Sequence, residues 1–349
     1  MPETQIDPTV HSQERPRGRE RQETNNECRP GLLAAAGPCV VPEAADELDT
    51  VLQLLVEHDC FAGMDRLVKY LREVRLATSD DEWHEFVTSQ VLPHPIRETL
   101  HRDPFTRRSF EKPRGFPGDA VLLDFIYGRT DTAQPPDADT EPLAHGIYSY
   151  TVNAPAPRAV RYRRSLIARL VDQTAESFRD PRILSLACGH LREAELSGAL
   201  QNESVSEWCG VDQDRECIGH LAKSFASCPC VRPVVASIRE IISGKRTFTG
   251  YHFVYAAGLF DYLQDAPARA LVERMFNAAV PGGSVLVTNF LPGVHDVGYM
   301  ESVMDWHLVC RTESEVLGLF SSIPRAQLRQ VAISVDPAEN IVFAIAEKR

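Results

Sequence analysis

The sequence predicts an α/β protein built on a doubly wound, mostly parallel sheet. Beyond about Arg179, short apolar runs rich in β-branched residues alternate with runs of helical periodicity. The runs with strand character are RILSLA, EWCGVD, RPVVAS, HFVYAAG, SVLVTNF, QVAISVD and NIVFAIA. Only a few polar residues around Pro337 join the last two, which is too few for a crossover helix. We therefore expect a seven-stranded sheet that ends in a C-terminal antiparallel hairpin.

The chain before the sheet has two parts of different composition. The first is rich in Pro, Arg, Glu, Gln and Asn and poor in apolar residues, so we predict that it is disordered. From Ala44 to about Leu100, apolar residues recur at helical spacing, and a polar, Pro-rich loop, RTDTAQPPDADTEP, follows after one more short helix. The predicted organisation is a disordered segment (1–42), a helical cap or lid region (43–170) and a ligand-binding sheet domain (171–349).

Composition and charge disfavour several classes of protein. The apolar content of 43% is typical of a soluble globular protein, and no apolar run approaches the roughly 18 residues of a membrane span. The start of the chain lacks the apolar stretch of a signal peptide, and nine widely spread cysteines favour reduced thiols, so we expect a cytoplasmic location. A net charge of −12 disfavours nucleic acid as a partner. No metal-site spacing is present, because Cys228 and Cys230 lack a second pair.

Two strand ends predict a nucleoside site. In an open parallel sheet the ligand lies beyond the carboxyl ends of the strands, where the strand order reverses. The first strand ends at Gly189, and the second ends at Asp212, a position suited to accept both ribose hydroxyls or to cap the following helix. Leu191 and Ala194 replace the later glycines of a dinucleotide fingerprint, so the turn does not provide for a pyrophosphate. S-adenosylmethionine (SAM), which has no pyrophosphate, fits this pattern.

From roughly Leu170 to Arg349 the sequence resembles the class I SAM-dependent methyltransferases, whose fold is Rossmann-like. The motifs that carry the resemblance are LSLACG, GVD, VVASIRE, FVYAAGLFDYL and VPGGSVLVTNF. The chain departs from the class pattern with Ala187 and Leu191 where glycines are usual, and with Ser185 where an acidic residue is common. Within that class, KPRGFPGD, CGHLRE, AGLFDYL and MDWHLVCRTESE resemble a bacterial subgroup associated with the biosynthesis of 3-hydroxypalmitic acid methyl ester.

The resemblance implies SAM as cofactor and assigns its contacts. It implies that Ala187, Cys188 and Gly189 lie under the methionine part, Asp212 and Gln213 at the ribose, Ser237 and Ile238 at the adenine, and Ala257 and Gly258 along the inner side. The arginine-rich segment PRAVRYRRSLIARL is either a solvated helix face or a contact with an anionic ligand group such as a carboxylate, with Arg163 as the cofactor-binding candidate.

Catalytic and substrate-binding candidates come from polar residues near the strand ends. An in-line nucleophile that still carries its proton needs a base, for which Asp261, Tyr262 and Asn289 are the first candidates, and His295 and Asp296 follow them. The candidate substrate contacts are Lys112, Arg114 and Asp119 in the possible lid KPRGFPGD, Tyr148 in the helical region, and Asp305, Trp306 and Arg311. Each of these residues has a structural role as its alternative.

Three functions fit these features. The leading hypothesis is methyl transfer to a small-molecule acceptor in bacterial secondary or signalling metabolism. The second is a SAM-dependent reaction without methyl transfer, in which the amino group of SAM attacks its own γ-carbon to give azetidine-2-carboxylate and methylthioadenosine. The third is a catalytically silent SAM-binding protein, suggested by the incomplete glycine motif. A nucleic-acid methyltransferase ranks last, because LFDYL replaces the motif used on flipped bases.

Overall fold

The computed structural model describes residues 44–349, so the disorder predicted for residues 1–42 lies outside the described residues. Seven strands form one sheet in the described chain. The strands are β1 (Arg182–Leu186), β2 (Glu207–Asp212), β3 (Val231–Val235), β4 (Tyr251–Ala256), β5 (Ala279–Phe290), β6 (Leu328–Val335) and β7 (Ile341–Lys348).

The strand order is β3-β2-β1-β4-β5-β7-β6, with β1 to β5 parallel to one another. Strand β7 is antiparallel to both β5 and β6, which confirms the predicted terminal hairpin. The order reverses between β1 and β4, and a doubly wound sheet opens a crevice for ligands at such a point.

The helices before the sheet are α1 (Ala44–Gln53), α2 (Cys60–Ala77), α3 (Asp80–Phe86), α4 (Ile96–Leu100), α5 (Pro104–Glu111), α6 (Ala120–Tyr127), α7 (Pro142–Thr151) and α8 (Pro155–Ser177). Those within the sheet region are α9 (Gly198–Gln201), α10 (Arg215–Ser224), α11 (Ile238–Ile242), α12 (Asp265–Ala278), α13 (Val297–Ser302) and α14 (Glu313–Gly318). Side chains set several of the boundaries. Ser79 with Glu82 and Ser237 with Glu240 form capping boxes at the starts of α3 and α11.

The two faces of the sheet bury different cores, as the alternation along β4 shows. Phe253 and Tyr255 pack with the helical region, whereas Val254 and Ala256 pack with α12 on the other face. Because the helical region and one sheet face share a single apolar cluster, the helices form part of the sheet's core.

Helix α8 links the helical region to the sheet. It runs unbroken through the predicted boundary between residues 170 and 171 and buries a stripe that includes Val160, Arg163 and Ile167. Arg158 and Arg169 are exposed, as the solvated-face alternative predicts, whereas Arg161 and Arg164 are half-buried and make internal hydrogen bonds. Between residues 44 and 349, no helix has both the length and the apolar character needed to cross a membrane.

Candidate functional site

A cavity of about 350 Å³ lies at the carboxyl ends of β1, β2 and β4, where the strand order reverses. Its position matches the predicted ligand site. Residues from all three strand ends line it, together with residues of α6 and of the preceding loop. The lining includes Phe116, Gly118, Asp119, Leu123, Tyr127, Ser185, Ala187, Cys188, Gly189, His190, Leu191, Arg192, Glu193, Asp212, Gln213, Asp214, Ala236, Ile238, Ala257, Gly258 and Tyr262.

The turn after β1 uses left-handed backbone at alternate positions. Ala187, Gly189 and Leu191 have φ values of +52°, +54° and +54°. A left-handed conformation is readily adopted by glycine, but costs a residue with a side chain on the order of 1 kcal/mol or more. The chain therefore keeps the tight turn although two of the usual glycines are absent, and the strain lies at the cavity wall.

Asp212 lies next to this turn. Its carboxylate accepts hydrogen bonds from the backbone N–H groups of Gly189 and Asp214, both at 3.0 Å, and it lines the cavity. Burial raises the pKa of Asp212, and the backbone donors oppose that rise. A carboxylate has about four lone-pair sites, so two backbone donors leave room for ligand hydroxyls.

Of the two candidates for adenine contact, one lines the cavity and the other has a structural role. Ile238 lines the cavity beside Ala236. Ser237 does not line it, because its hydroxyl caps α11 and exchanges hydrogen bonds with Glu240. The sequence pattern alone does not separate a cap from a ligand contact.

Two buried, charged side chains lie near the ends of β1 and β4, of which Glu193 lines the cavity and Arg163 does not. Gly258, with φ +92°, lets the guanidinium of Arg163 approach its backbone, since a Cβ at Gly258 would lie 2.9 Å from Arg163 Nη2. Glu193, from the 3₁₀ turn Arg192–Leu196, lines the same cavity and is largely buried. Burial raises the pKa of Glu193, and the hydrogen bond from Tyr255 partly offsets this rise.

The segment KPRGFPGD covers the cavity and is tied down at both ends. Lys112 pairs with Asp305, while Arg114 pairs with Asp214 and Glu216 beside β2. Asp119 caps α6 through the Leu122 N–H at 2.8 Å. We define residues 112–119 as the lid segment.

Tyr262 and Trp306 form a partition beside the lid segment. Trp306 Nε1 donates to the Tyr262 hydroxyl at 2.8 Å, and a Cβ at Gly118 would lie 2.5 Å from that hydroxyl. Trp306 also lines a second, apolar cavity of about 20 Å³, whose walls include Ile126, Phe290, Asp296 and Met300. The partition therefore separates the large cavity from a void that has room for about one water molecule.

The chain is similar to several solved structures at low sequence identity. A possible exported protein from Bordetella parapertussis has a TM-score of 0.52 and 16% identity, covering 90% of this chain and 99% of that one. The SAM-dependent methyltransferase SibL has a TM-score of 0.42 and 16% identity over 70% of each chain. The N-methyltransferase NodS from Bradyrhizobium japonicum, in complex with S-adenosylhomocysteine (SAH), has values of 0.40 and 14% over 56% of this chain and 89% of its own.

No family model matches the sequence, and the comparison with curated proteins gave no match. The strand order and the antiparallel β7 decide the fold. The chain has a Rossmann-like fold whose sheet ends in an antiparallel hairpin. The resemblance to the 3-hydroxypalmitic acid methyl ester subgroup stays a prediction.

Within this fold, three of the candidates for catalysis or substrate binding are occupied in internal hydrogen bonds. Asp261 is 2% exposed and accepts from the Phe290 N–H at 2.7 Å. Arg311 is also 2% exposed and donates to the Phe260 and Leu263 carbonyls and to Asn289. None of Asp261, Asn289 and Arg311 lines either cavity described above, so the geometry favours structural roles for them.

The remaining candidates have mixed placements. The Tyr148 hydroxyl donates to the Phe125 carbonyl at 3.0 Å, and Tyr148 lines neither cavity, which favours packing. His295 lines neither cavity, whereas Asp296 faces the apolar void and is buried. Burial raises the pKa of Asp296 to about 6.

A buried network in CGHLRE has no counterpart in the sequence prediction. Asp124 of α6 is fully buried and binds His190 Nδ1 at 2.7 Å and Arg192 Nε at 2.7 Å. Burial alone would raise the pKa of Asp124, but the hydrogen bonds from Arg192 and His190 hold it at about 2. This network fastens α6, and with it the lid segment's end, to the turn after β1. Its partners are more than sixty residues apart in the sequence, so no local motif signals it.

Proposed function

We propose that the protein binds SAM in the cavity at the strand ends and transfers its methyl group to a small-molecule acceptor. The observation that supports this most is the placement of Asp212 beside Gly189 in a nucleoside-sized cavity at the point of strand reversal. When bound, SAM supplies a methyl group already activated by the adjacent sulfonium.

The lining fits an adenosyl ligand. The Asp212 carboxylate would accept the ribose hydroxyls, and the apolar Ala236 and Ile238 would contact the adenine. Leu191, which is fully buried, stands where a dinucleotide fold needs a glycine for its pyrophosphate. SAM therefore suits the cavity better than a dinucleotide does.

In this proposal Tyr262 is the catalytic candidate that remains next to the ligand. It lines the cavity, and its hydroxyl is held by Trp306, which fixes the direction of the ring. The lid segment excludes water from the cavity through Phe116 and Gly118. Lys112 and Arg114 hold this lid closed through their ion pairs instead of pointing to a substrate.

A second candidate function draws support from the small apolar void. With the partition closed, the space of about 20 Å³ behind Trp306 is too small for an acceptor. A reaction within SAM itself needs no such space. There SAM is the substrate: its amino nitrogen forms a bond to the γ-carbon, the bond from that carbon to sulfur breaks, and methylthioadenosine leaves with the electron pair. Glu193 lines the cavity and would take the proton released by the amino group.

Product analysis separates the two functions. The full-length protein is incubated with SAM carrying a ¹³C methyl group, alone and with a panel of 3-hydroxy fatty acids, amino acids and phenolic polyketides. SAH together with a ¹³C-methylated product supports methyl transfer. Methylthioadenosine formed from SAM alone supports the cyclisation. Binding of SAM without turnover favours the silent protein, and absence of SAM binding contradicts all three functions.

A further inference from the structure

A third cavity, of about 120 Å³, lies on the face of the sheet that packs against α12. It is enclosed by β1, by α11 and the loop that follows it, and by the second half of α12. Its lining residues are Leu184, Leu186, Ile241, Arg246, Thr247, Phe248, Thr249, Arg274, Met275, Asn277 and Ala278. None of these residues lines the large cavity at the strand ends, so the third cavity is a separate site.

The interior of the third cavity is apolar. Leu184 and Leu186 point to the same face of β1, and both are buried, as are Ile241, Met275 and Ala278. Side chains around an unfilled space lose van der Waals contacts on one side. A dry apolar cavity of ~150 Å³ is known to bind benzene. The third cavity therefore has the size and the lining to hold one apolar group about as large as a single ring.

The mouth of the third cavity carries positive charge. Arg246 and Arg274 line the cavity, and both are exposed, whereas no acidic residue of the described chain lines it. This balance reverses that of the whole sequence, which has 49 acidic residues and 37 Lys and Arg residues. Guanidinium groups bind carboxylates through paired, charge-assisted hydrogen bonds. The mouth therefore favours a ligand with an anionic group.

Arg274 is held at this mouth by the backbone. Its Nε donates to the Ile242 carbonyl at 3.1 Å, and a Cβ at Gly244 would lie 3.2 Å from its Nη2. Across residues 44–349, the Nη groups of Arg274 and the whole side chain of Arg246 form neither a hydrogen bond nor an ion pair with another side chain. The carboxylate of Glu240, on α11, is occupied in the capping box with Ser237. Both guanidinium groups therefore keep donors for a ligand.

We propose that the third cavity binds a small carboxylate whose apolar part is about the size of one ring. The ring lies between β1 and α12, and the carboxylate meets Arg246 and Arg274 at the mouth. Both parts of the ligand are required. A neutral ligand gains no ion pair, and an acid without an apolar part gains only exposed ion pairs, which contribute little. This site goes beyond the proposed function, because it does not involve the large cavity.

Methionine methyl groups report where such a ligand binds. Met275 is fully buried and lines the third cavity, whereas Met300 and Met304 line the small apolar void behind Trp306. The full-length protein, labelled with ¹³C at the methionine methyl groups, is titrated with phenylacetate, and Met275→Leu assigns the Met275 resonance. An aromatic ring shifts the resonances of nuclei beside it, so we expect a saturable shift of Met275 and none of Met300 or Met304. No shift of Met275 would overturn the proposal.

Matched ligands test the chemical class. Phenylacetamide is the neutral counterpart of phenylacetate, and acetate lacks the ring. We expect phenylacetate to bind at least about fivefold more tightly than phenylacetamide at low salt, and acetate to leave Met275 unshifted. Equal affinity for phenylacetate and phenylacetamide would show that the arginines do not select an anion, which overturns the proposal.

A charge variant assigns the arginines. Arg274→Gln changes an exposed side chain and should weaken phenylacetate binding about threefold, with less than a twofold change for phenylacetamide. Arg269→Gln, also exposed on α12 but outside the cavity, is the matched control and should change neither affinity. Equal losses for both ligands in Arg274→Gln would mean that Arg274 only shapes the cavity, and the proposed contact with the carboxylate would be wrong.

Competition separates the third cavity from the large one. Saturating SAH should leave phenylacetate bound, with its affinity unchanged within about twofold, because the two cavities share no lining residue. Displacement of phenylacetate by SAH would place phenylacetate in the large cavity and overturn the inference. A protein that binds phenylacetate at Met275 but does not bind SAH would refute the proposed function alone.

Discussion

The two halves of the sheet's carboxyl edge use their polar residues differently. At β1 and β2, the side chains of Asp212 and Glu193 line the large cavity. At β4 and β5, Asp261, Asn289 and Arg311 are buried too, but Asp261 binds a backbone N–H, and Arg311 binds Asn289 and two backbone carbonyls. Burial and polarity therefore do not identify a ligand site by themselves. What distinguishes the first half is hydrogen-bonding capacity left open toward a cavity.

The largest effect should come from the β4–β5 half. Arg311→Met removes the donors to the Phe260 and Leu263 carbonyls and to Asn289, so we expect the free energy of unfolding to fall by about 3 to 5 kcal/mol. Urea denaturation measures this change. SAH affinity below the unfolding transition should stay within twofold. A stable variant that has lost activity would instead make Arg311 a functional residue and break the comparison.

Asp296 tests the same half through pH. Its pKa of about 6 in the folded protein lies above the ordinary 3.8, so the folded state holds the proton more tightly. The raised pKa stabilises the folded protein fully below about pH 4, and this stabilisation is lost as pH rises through about 6. The difference between the two pKa values corresponds to roughly 2 to 3 kcal/mol. Asp296→Asn replaces the carboxyl group with a neutral amide, which does not ionise in this pH range.

Urea denaturation of both proteins between about pH 4 and pH 7.5 measures the difference. As pH rises, the free energy of unfolding of the variant should increase relative to that of the wild-type protein. A constant difference across this range would show that Asp296 titrates normally in the folded protein.

Asp212 tests the β1–β2 half of the carboxyl edge. Asp212→Asn keeps an acceptor oxygen but removes the charge, and charge-assisted bonds to ribose are worth about 1.5 to 3 kcal/mol. We expect SAH affinity to fall roughly tenfold, with the free energy of unfolding changed far less than in Arg311→Met. Calorimetry measures the affinity, with Asp81→Asn on the exposed start of α3 as control. Unchanged affinity would remove Asp212 from the site.

The smallest effect concerns the lid segment. Arg114 is partly exposed and pairs with Asp214 and Glu216, so Arg114→Gln should weaken SAH binding by less than about fivefold. Salt screens such pairs, and the difference from the wild-type protein should vanish near 0.5 M NaCl, about where the Debye length drops below 5 Å. Arg329→Gln, far from the cavity, is the control. A loss that persists at high salt would mean that Arg114 contacts the ligand directly.

The sheet and the position of the cavity at its carboxyl edge were accessible from the sequence because their signals are local. Alternating apolar runs predicted the strands, and the short link around Pro337 predicted the hairpin. The sequence placed Gly189 and Asp212 at the ends of the first two strands, and these ends meet because neighbouring parallel strands end at the same edge. Helical spacing also places Arg163 on the inward face of α8, between Val160 and Ile167.

The rest depends on contacts between distant residues. Arg311 and Asn289 are 22 residues apart, and Asp124 and Arg192 are 68 apart, so no local pattern shows that they bind each other. Glu193 reaches the cavity only because the turn at Leu191 adopts a left-handed conformation that a residue with a side chain rarely takes. Sequence reasoning named polar residues near the carboxyl edge of the sheet. Only packing decides which of them line the cavity.

Calorimetric titration of the full-length wild-type protein with SAH tests the central claim most directly. If the cavity at the ends of β1, β2 and β4 is an adenosyl site, the titration will show saturable binding of one SAH per chain. Heat of dilution alone, from protein that circular dichroism shows to be folded, would contradict the account.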